Sequence, residues 1–436
     1  ALLQDDGDGG QAPVDSVPVR FNRRRFPWPR PAIVAAADEA ELLGFGFSWV
    51  DSDVPEAGGN GGLDWLLIGE RKQVGPASRV YHEQPSKVTA LSEVGGKSVR
   101  NVVLLAETHD AAAPSMLGMS TLLAVTRQLI QMKPPPRLLC LCRGTQHPRP
   151  LELAEPMAAA SAGGVWGFLR SVALEQPAAD WLIRDVRSEP SATEVARMLR
   201  AAAAFGEDGG VPRELAQSSS GSWHAPRLVR TGAIPSSADS VSGAGVNIIT
   251  GGLGGLGLRA AKALAGDPSS HLVLSSRSGR ITRAGQGLGA QLRSLEASKS
   301  NLRIRACDIA APEDAVALLR ESHSLRRPRL ATRVIHAAGV LADGLVRKLT
   351  PSDLGAVFAA KAHGAAAIHS ASTTLNFSAF VAFSSVASAY GNIGQANYAG
   401  ANSYLDVLVT LRRACGLRGC SLQLPPVGGA GMGEAL

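Results

Sequence analysis

The segment that most constrains the fold runs from residue 246 to 264 and has the sequence VNIITGGLGGLGLRAAKAL. Its β-branched start predicts a buried strand, and its Ala- and Leu-rich end predicts a helix. Glycines between the two let the main chain approach a pyrophosphate closely, and the first helical turn offers free amide groups. This context predicts a dinucleotide site. The residues expected to form it are Thr250, Gly251, Gly252, Leu253, Gly255 and Gly257.

Short apolar runs alternate with helical segments on both sides of this turn, which is typical of a doubly wound parallel sheet. In the second half, strands are predicted at 246–250, 271–276, 302–308, 333–339, 377–385 and 420–424, and helices at 256–266, 285–297, 312–323, 351–374 and 395–415. In the first half, strands are predicted at 65–70, 101–107, 137–142 and 181–186, and helices at 115–132 and 157–175.

The fold class is therefore α/β, with two Rossmann-like doubly wound sheets. The first half has no glycine-rich turn after its first predicted strand, so we expect a truncated structural copy without a cofactor site. A chain of 436 residues suggests two or three domains. The expected boundaries are an extended N-terminal segment at 1–32, a structural subdomain at 33–232 and a catalytic subdomain at 233–436. The Ser-, Gly- and Pro-rich stretch 216–242 is interpreted as the linker between the halves.

Composition excludes several classes of protein. Hydrophobic residues make up 45% of the chain and charged residues 19%, which excludes a disordered protein. Aromatic residues are only 5%, which argues against a nucleic-acid partner that stacks bases. No apolar run reaches the roughly 18 residues that cross a membrane, and no zinc spacing accompanies the five cysteines. We expect a cytoplasmic protein with free thiols and no metal, cut from a longer chain.

The end of the second strand distinguishes the two nicotinamide cofactors. NAD-selective folds place an acid there to bind the ribose 2′-hydroxyl. This chain has Arg277, which can pair with a 2′-phosphate together with Ser276 and Arg280 and so favours NADPH, unless it is simply a solvated loop arginine. Asp308, followed by Ile309, either contacts adenine or caps a helix, and both alternatives stay open.

A second stretch, FSSVASAYGNIGQANYAGANSYLD at 383–406, brings three polar side chains together. Ser385 ends an apolar run, while Tyr398 and Asn402 lie four residues apart and share a helix face. This arrangement suits a hydroxyl proton donor beside a cofactor. An ordinary buried strand–loop–helix is the alternative.

Together these motifs resemble the short-chain dehydrogenase/reductase superfamily, and most closely the ketoreductase domains of modular polyketide synthases. The motifs that carry the resemblance are TGGLGGLG, HLVLSSRSG, HAAGVLADG, FAAKAHGA and FSSVAS…GQANYAGANSYLD, and they span the last two hundred residues. In the first half, GGVWGFLRSVALEQP is similar to the family's catalytically silent subdomain. VPVRFNRRRFPW is similar to the strap that follows an acyltransferase domain.

The resemblance implies an NADPH-dependent reduction of a β-ketoacyl thioester. The partners it implies are an acyl carrier protein bearing a phosphopantetheine-linked chain, expected beyond Leu436, and neighbouring acyltransferase and other synthase domains. Tyr398 would donate the proton and Lys361 would lower the pKa of that tyrosine. Ser385 would bind the substrate carbonyl, and Asn402 would order water or the lysine. The small residues expected beside the nicotinamide ribose are Ala337, Ala338 and Gly339.

Departures from the family pattern bear on stereochemistry and on the lid. The loop after HAAG keeps the acid Asp343 but has Ala342 in place of the family's first acid, and Tyr390 stands where the opposite class has tryptophan. The resemblance implies a D (3R) hydroxyl, and the alternative is that Asp343 is simply a loop acid. Gln395 is a further residue expected at the substrate. Residues 424–427 read LPPV instead of the family's Trp-Gly-Pro, which bears on lid packing. The alternatives are a cofactor-binding scaffold or epimerase that does not reduce, and a free-standing reductase.

Overall fold

The computed structural model describes residues 43–51, 66–68, 100–106, 112–146, 157–187, 190–203, 212–233, 244–282, 286–298, 301–325, 331–375 and 377–428. Contacts divide the chain into two compact units, one of residues 1–45 and 230–235, the other of residues 46–229 and 236–436. The second unit contains every described helix and the whole C-terminal sheet. The predicted strap at 17–28 lies outside the described residues.

The N-terminal sheet has seven described strands in the order β1-β7-β6-β5-β4-β3-β2. Neighbours from β2 to β6 pair in parallel, as the alternation of strands and helices predicted. The strands are β1 (Leu43–Asp51), β2 (Leu66–Ile68), β3 (Asn101–Leu105), β4 (Arg137–Arg143), β5 (Trp181–Val186), β6 (Glu214–Gln217) and β7 (Trp223–Ala233). The helices are α1 (Met116–Leu129), α2 (Gly164–Glu175), preceded by a 3-10 turn, and α3 (Ala192–Ala203).

The linker predicted at 216–242 was wrong over most of its length. Strands β6 and β7 pair there in an antiparallel hairpin at the end of the sheet, with Ala216 opposite His224. The Ser- and Gly-rich composition belongs to the hairpin turn, in which Gly221 has a φ of 83°. Gly adopts that conformation without steric cost, so the turn signal was mistaken for a linker signal.

The C-terminal sheet has six described strands in the order β10-β9-β8-β11-β12-β13, all paired in parallel. The order reverses between β8 and β11, which creates the crevice where doubly wound folds bind ligands. The strands are β8 (Gly245–Thr250), β9 (Ser270–Ser276), β10 (Asn301–Ala306), β11 (Thr332–His336), β12 (Ala379–Ser385) and β13 (Cys420–Leu424). The helices are α4 (Gly255–Leu264), α5 (Leu288–Glu296), α6 (Pro312–Ser324), α7 (Pro351–Phe358), α8 (Gly364–Ser372), α9 (Val386–Tyr390) and α10 (Ala396–Ala414).

The helix predicted at 351–374 is interrupted. Helices α7 and α8 are separated by a turn of π-helix at Ala359–His363, which contains Lys361. π-turns are rare and occur frequently at functional sites. No apolar periodicity in the sequence indicated this turn.

Helices α2 and α10 join the two sheets through very close packing. A Cβ at Gly167 would lie 2.1 Å from the carbonyl oxygen of Ala399, so only glycine fits there. The hydroxyl of Ser403 donates to the Gly163 carbonyl over 2.8 Å. One cluster of buried side chains extends from Trp166 on α2 to Leu408 on α10. The first half thus supports the helix that carries Tyr398.

Across the described ranges, no helix combines the length and the apolar character needed to cross a bilayer.

Candidate active site

The site lies where parallel strands end at one edge of the C-terminal sheet. Strands β8, β9, β11 and β12 end at Thr250, Ser276, His336 and Ser385. The registers place Thr250 beside Ser275 on one side and beside His336 on the other. The Thr250 hydroxyl and the His336 imidazole meet over 2.7 Å at the reversal in strand order.

The glycine-rich turn has the form of an anion cradle. Gly251 has a φ of 65°, and a Cβ there would lie 2.7 Å from Ala337 oxygen and from Ala338 Cα. Gly252 and Leu253 complete the turn. No side chain caps α4 at Gly254, and no acid lies in its first turn. The first amides of this helix are thus available to an anionic group. Gly255 and Gly257 lie in that first turn.

The adjacent strand ends carry the residues predicted to bind the 2′-phosphate and adenine. Arg277 is exposed in the turn after Ser276, and Arg280 is exposed three residues later. An Asp308 carboxylate oxygen accepts from the Ala310 amide over 3.1 Å. The N-cap of α6 is Ala311, so Asp308 does not cap this helix. Its neighbour Ile309 is buried.

Tyr398 and Asn402 lie one turn apart on α10, as their spacing predicted, and Ser385 joins them from the end of β12. Asn402, one helical turn after Tyr398, donates from Nδ2 to the Tyr398 carbonyl over 2.8 Å. Ser385 ends β12 and its hydroxyl caps the short helix α9 by accepting from the Ala387 amide at 3.2 Å. Both side chains lie close enough to the Tyr398 phenol to act on its pKa.

Lys361 reaches the same point from the π-turn. Its side chain is 3% exposed, and its Nζ donates to the Phe383 carbonyl over 2.9 Å. The Nζ lies 5.4 Å from the centre of the Tyr398 ring, within the range of a cation–π contact. Burial lowers the pKa of Lys361 to about 8, and the negative charge of Asp406 opposes this shift. The lysine therefore stays mostly protonated at neutral pH.

The pKa of Tyr398 is set mainly by burial. Burial raises it, and interactions with the Asn402 and Ser385 side chains oppose that rise in part. The nearby charge of Asp343 raises it further. Burial is the largest effect on this phenol, and the prediction that Lys361 lowers the pKa of Tyr398 stays a prediction. Tyr398 is consequently a protonated phenol at neutral pH.

One buried atom at this site lacks a partner. Asn402 is fully buried, and its Oδ1 makes no hydrogen bond within the described residues. A buried acceptor of this kind usually pairs with a water or a ligand. The uncapped α4 amides and the exposed Arg277 are donors that suit the phosphates of a nicotinamide dinucleotide. The residues present fit such a cofactor.

Two loops border the proposed substrate side. Asp343, after β11, accepts from the Gln395 side chain over 2.8 Å, and the Gly344 amide donates to the Gly394 carbonyl at 2.8 Å. Tyr390 ends α9 with 41% of its surface exposed. Beyond β13, the chain passes α4, where Arg259 donates to the Gly428 carbonyl over 3.1 Å.

Comparison with known proteins decides the family. Residues 245–429 match the family described as KR domain. Over 90% of the chain, the fold superposes on 84% of a solved structure titled "Structure of A-type Ketoreductases from Modular Polyketide Synthase", with a TM-score of 0.74 and 29% identity. The chain belongs to the ketoreductase domains of modular polyketide synthases. These ketoreductases are oxidoreductases of the short-chain dehydrogenase/reductase superfamily and bind a nicotinamide cofactor.

Two further relatives agree. A structure titled "Structure of A1-type ketoreductase" matches with a TM-score of 0.73 and 29% identity, covering 90% of this chain and 84% of that one. Polyketide synthase GfsA of Streptomyces halstedii is 34% identical over 342 residues. That match covers 76% of this chain and 4% of GfsA, so the ketoreductase chain spans a small part of the length of this relative.

Sequence reasoning missed several residues that position the ketoreductase site. The fully buried His336 links the glycine-rich turn to Lys361, and Asn397 donates to the Ala342 carbonyl over 2.7 Å. Asp406 accepts from Ser388 Oγ over 2.6 Å and acts electrostatically on Lys361. The i, i+4, i+8 spacing of Tyr398, Asn402 and Asp406 was the signal for the last of these.

Proposed function

We propose that this domain reduces the β-keto group of a carrier-bound polyketide thioester to a β-hydroxyl, with NADPH as cofactor. The observation that carries the proposal is the convergence of Lys361, Ser385, Tyr398 and Asn402 beside the glycine-rich turn. NADPH, when bound, would supply the hydride for the carbonyl carbon. The chain's own residues then have to hold the ketone, supply a proton to its oxygen and stabilise the charge left behind.

Tyr398 is the proton donor. Burial keeps its phenol protonated at neutral pH, which a general acid requires. As the phenol gives its proton to the developing alkoxide, a negative charge forms on the tyrosine. The Lys361 ammonium, 5.4 Å from the ring centre, stabilises that charge at the moment it appears.

Ser385 and Asn402 complete the proton pathway. The Ser385 hydroxyl donates to the ketone oxygen and so holds the carbonyl beside the phenol. The unpartnered Oδ1 of Asn402 accepts from a water that returns a proton to Tyr398. Arg277 pairs with the 2′-phosphate of the cofactor, and a phosphate there offers the oxygens that a guanidinium binds in two-pronged fashion.

We propose that the product has a D (3R) hydroxyl. The position of Asp343 supports this assignment. Its carboxylate accepts from Gln395 over 2.8 Å and lies near enough to Tyr398 to raise the pKa of the phenol. An acid placed beside the proton donor restricts the directions from which a thioester can enter. Chiral analysis of the product tests this assignment, and an L hydroxyl would overturn it.

The partners we propose are an acyl carrier protein with a phosphopantetheine arm and neighbouring synthase domains. Support comes from the polyketide synthases to which the chain is similar, including GfsA and the pikromycin polyketide synthase component PikAIII of Streptomyces venezuelae. The latter is 34% identical over 274 residues, which cover 62% of this chain and 17% of PikAIII.

The test combines purified protein, NADPH and a β-ketoacyl thioester, with absorbance of the reduced nicotinamide as the readout. We expect cofactor consumption and a matching yield of β-hydroxy product. Tyr398→Phe removes the proton donor and keeps the ring, so turnover should fall by about 100-fold or more while NADPH affinity is kept. Cofactor binding without consumption in the wild type would overturn reduction and favour a scaffold or epimerase.

A further inference from the structure

Glu175, the last residue of α2, binds two loops of the catalytic half at once. Its Oε1 accepts from the Gly394 amide over 3.0 Å, and its Oε2 accepts from the Val346 amide over 2.7 Å. Gly394 lies four residues before Tyr398, and Val346 lies three residues after Asp343. One carboxylate thus joins the loop before α10 to the loop after β11.

The position of this carboxylate is unfavourable for the helix that carries it. The C-terminal end of a helix carries a partial negative charge and favours cations. Helix α2 instead ends on Glu175, and no basic residue lies in its last turn. The two amide donors compensate the carboxylate in the folded protein. A violation of local helix preference that is compensated only by distant groups is characteristic of functional positions.

The loop before α10 is also seated on α2 at two other points. The Asn392 amide donates to Ser171 Oγ over 3.1 Å. Gly391 has a φ of 73°, and a Cβ there would lie 2.6 Å from the main chain of Arg170. These contacts hold this loop alone. Among the hydrogen bonds described for α2, those of Glu175 are the ones that reach the loop that carries Asp343.

The consequence concerns the pair at the substrate side. Asp343 and Gln395 meet at 2.8 Å only while their loops keep one relative position. The Gly344 amide donates to the Gly394 carbonyl over 2.8 Å, which is a main-chain link between the same two loops. A carboxylate that fixes both loops therefore sets the distance between the Asp343–Gln395 pair and Tyr398.

We propose that Glu175 is a positioning residue that sets substrate orientation from the non-catalytic half of the chain. The proposal rests on the proposed ketone reduction. Both carboxylate oxygens of Glu175 accept from loop amides, so Glu175 acts through the two loops. We call this arrangement the Glu175 clamp. It gives the first half of the chain a part in stereochemical control as well as in support of the fold.

The experiment compares four proteins, which are the wild type, Glu175→Ala, Glu175→Gln and the control variant Ser403→Ala. Ser403 also makes a hydrogen bond between the halves, but its acceptor, the Gly163 carbonyl, lies in neither loop. Kinetics with a β-ketoacyl thioester, the ratio of hydroxyl configurations and NADPH affinity are measured. Since displacement of about 1 Å can cost about 100-fold in rate, we expect Glu175→Ala to lower kcat/KM for the thioester by about tenfold or more.

The signature of the clamp is its selectivity. Glu175→Ala should erode the configuration ratio and leave NADPH affinity within about twofold, because the glycine-rich turn is untouched. Glu175→Gln keeps one acceptor oxygen, so its configuration ratio should lie between those of the wild type and Glu175→Ala. Ser403→Ala should keep the wild-type ratio. An unchanged ratio and unchanged kcat/KM in a folded Glu175→Ala would overturn the proposal.

A second readout separates this proposal from the proposed function. Amide hydrogen exchange is measured over residues 342–346 and 391–395 in the same variants. If both loops exchange faster in Glu175→Ala and in Glu175→Gln than they do in Ser403→Ala, the result supports the clamp. Equal exchange overturns it, whether or not the wild type reduces the ketone.

Discussion

The imidazole of His336 lies between Lys361 and Thr250. Its Nε2 is 2.8 Å from the Lys361 carbonyl oxygen, and its Nδ1 is 2.7 Å from Thr250 Oγ1. Because a carbonyl only accepts, Nε2 carries the proton and Nδ1 accepts from the Thr250 hydroxyl. Burial lowers the pKa of His336 to about 4, so this neutral form holds at physiological pH. The end of β8 and the π-turn of the lysine are thereby linked.

Replacing His336 with phenylalanine should uncouple this link. The ring shape is kept, but the Thr250 hydroxyl and the Lys361 carbonyl lose a buried partner. We expect a loss of unfolding free energy of about 2–4 kcal/mol at pH 7.5. We also expect a marked fall in kcat, since the main chain of the π-turn that carries Lys361 loses a buried hydrogen bond. Urea unfolding and steady-state kinetics measure the two effects.

The same substitution should change acid sensitivity. The folded pKa of His336 lies below its unfolded value, so its contribution to stability is full above pH 6.5 and is lost as the pH falls toward 4. That loss amounts to about 3 kcal/mol in the wild type and should be absent in His336→Phe. His369 serves as the control, because its pKa is also lowered to about 4 but its ring contacts Arg412. His369→Phe should keep wild-type turnover.

Lys361 should make stability depend on pH in the alkaline range, whereas His336 does so in the acid range. Its folded pKa of about 8 lies below its unfolded value of 10.5, so the burial penalty is full below pH 8 and fades as the pH rises toward 10.5. The wild type should gain about 3 kcal/mol of stability relative to Lys361→Met over that range. Denaturation of both proteins at several pH values measures the difference. A constant difference would contradict a desolvated lysine.

Arg277→Asp should change cofactor preference. Loss of a guanidinium that pairs with the 2′-phosphate should weaken NADPH binding by about 10- to 100-fold and leave NADH binding little changed. Fluorescence titration of both cofactors measures the ratio. Lys262→Asp is the matched control, since Lys262 lies in the last turn of α4, away from the turn. Equal losses for both cofactors would refute the assignment.

Gly251→Ala should damage both the fold and cofactor binding. Alanine is strained at a φ of 65°, and its methyl would meet the Ala337 carbonyl at 2.7 Å. We expect destabilisation of about 2 kcal/mol or more, together with loss of dinucleotide affinity. Gly266→Ala should be neutral in both assays, because nothing lies within 4 Å of its Cβ position and its φ is not positive.

Local pattern predicted what depends on neighbours in sequence. The four-residue spacing placed Asn402 against Tyr398, and the glycine-rich motif predicted the turn between β8 and α4. Composition alone could not separate a hairpin turn from a linker, which is why β6 and β7 were missed. The sequence pattern predicted features that depend on residues close together in the chain. It did not predict the pairing of β6 with β7.

The rest of the site depends on contacts between distant residues. Lys361 entered only through the family resemblance, because its helix shows no sign of a π-turn in sequence. Glu175 lies more than two hundred residues before Gly394, and no spacing rule connects them. One signal was present, an acid at the end of a helix without basic neighbours, but its partners could be identified only from the fold.

The packing of Gly167 against Ala399 has a consequence for recombination between synthases. A Cβ at Gly167 would lie only 2.1 Å from the Ala399 carbonyl oxygen. Neither α2 nor α10 can therefore shift without breaking the contact between them. A chimera that takes α2 from one parent and α10 from another would need a glycine at position 167 and the same backbone path in both helices. Grafts of reductase specificity should therefore transplant both helices from a single donor.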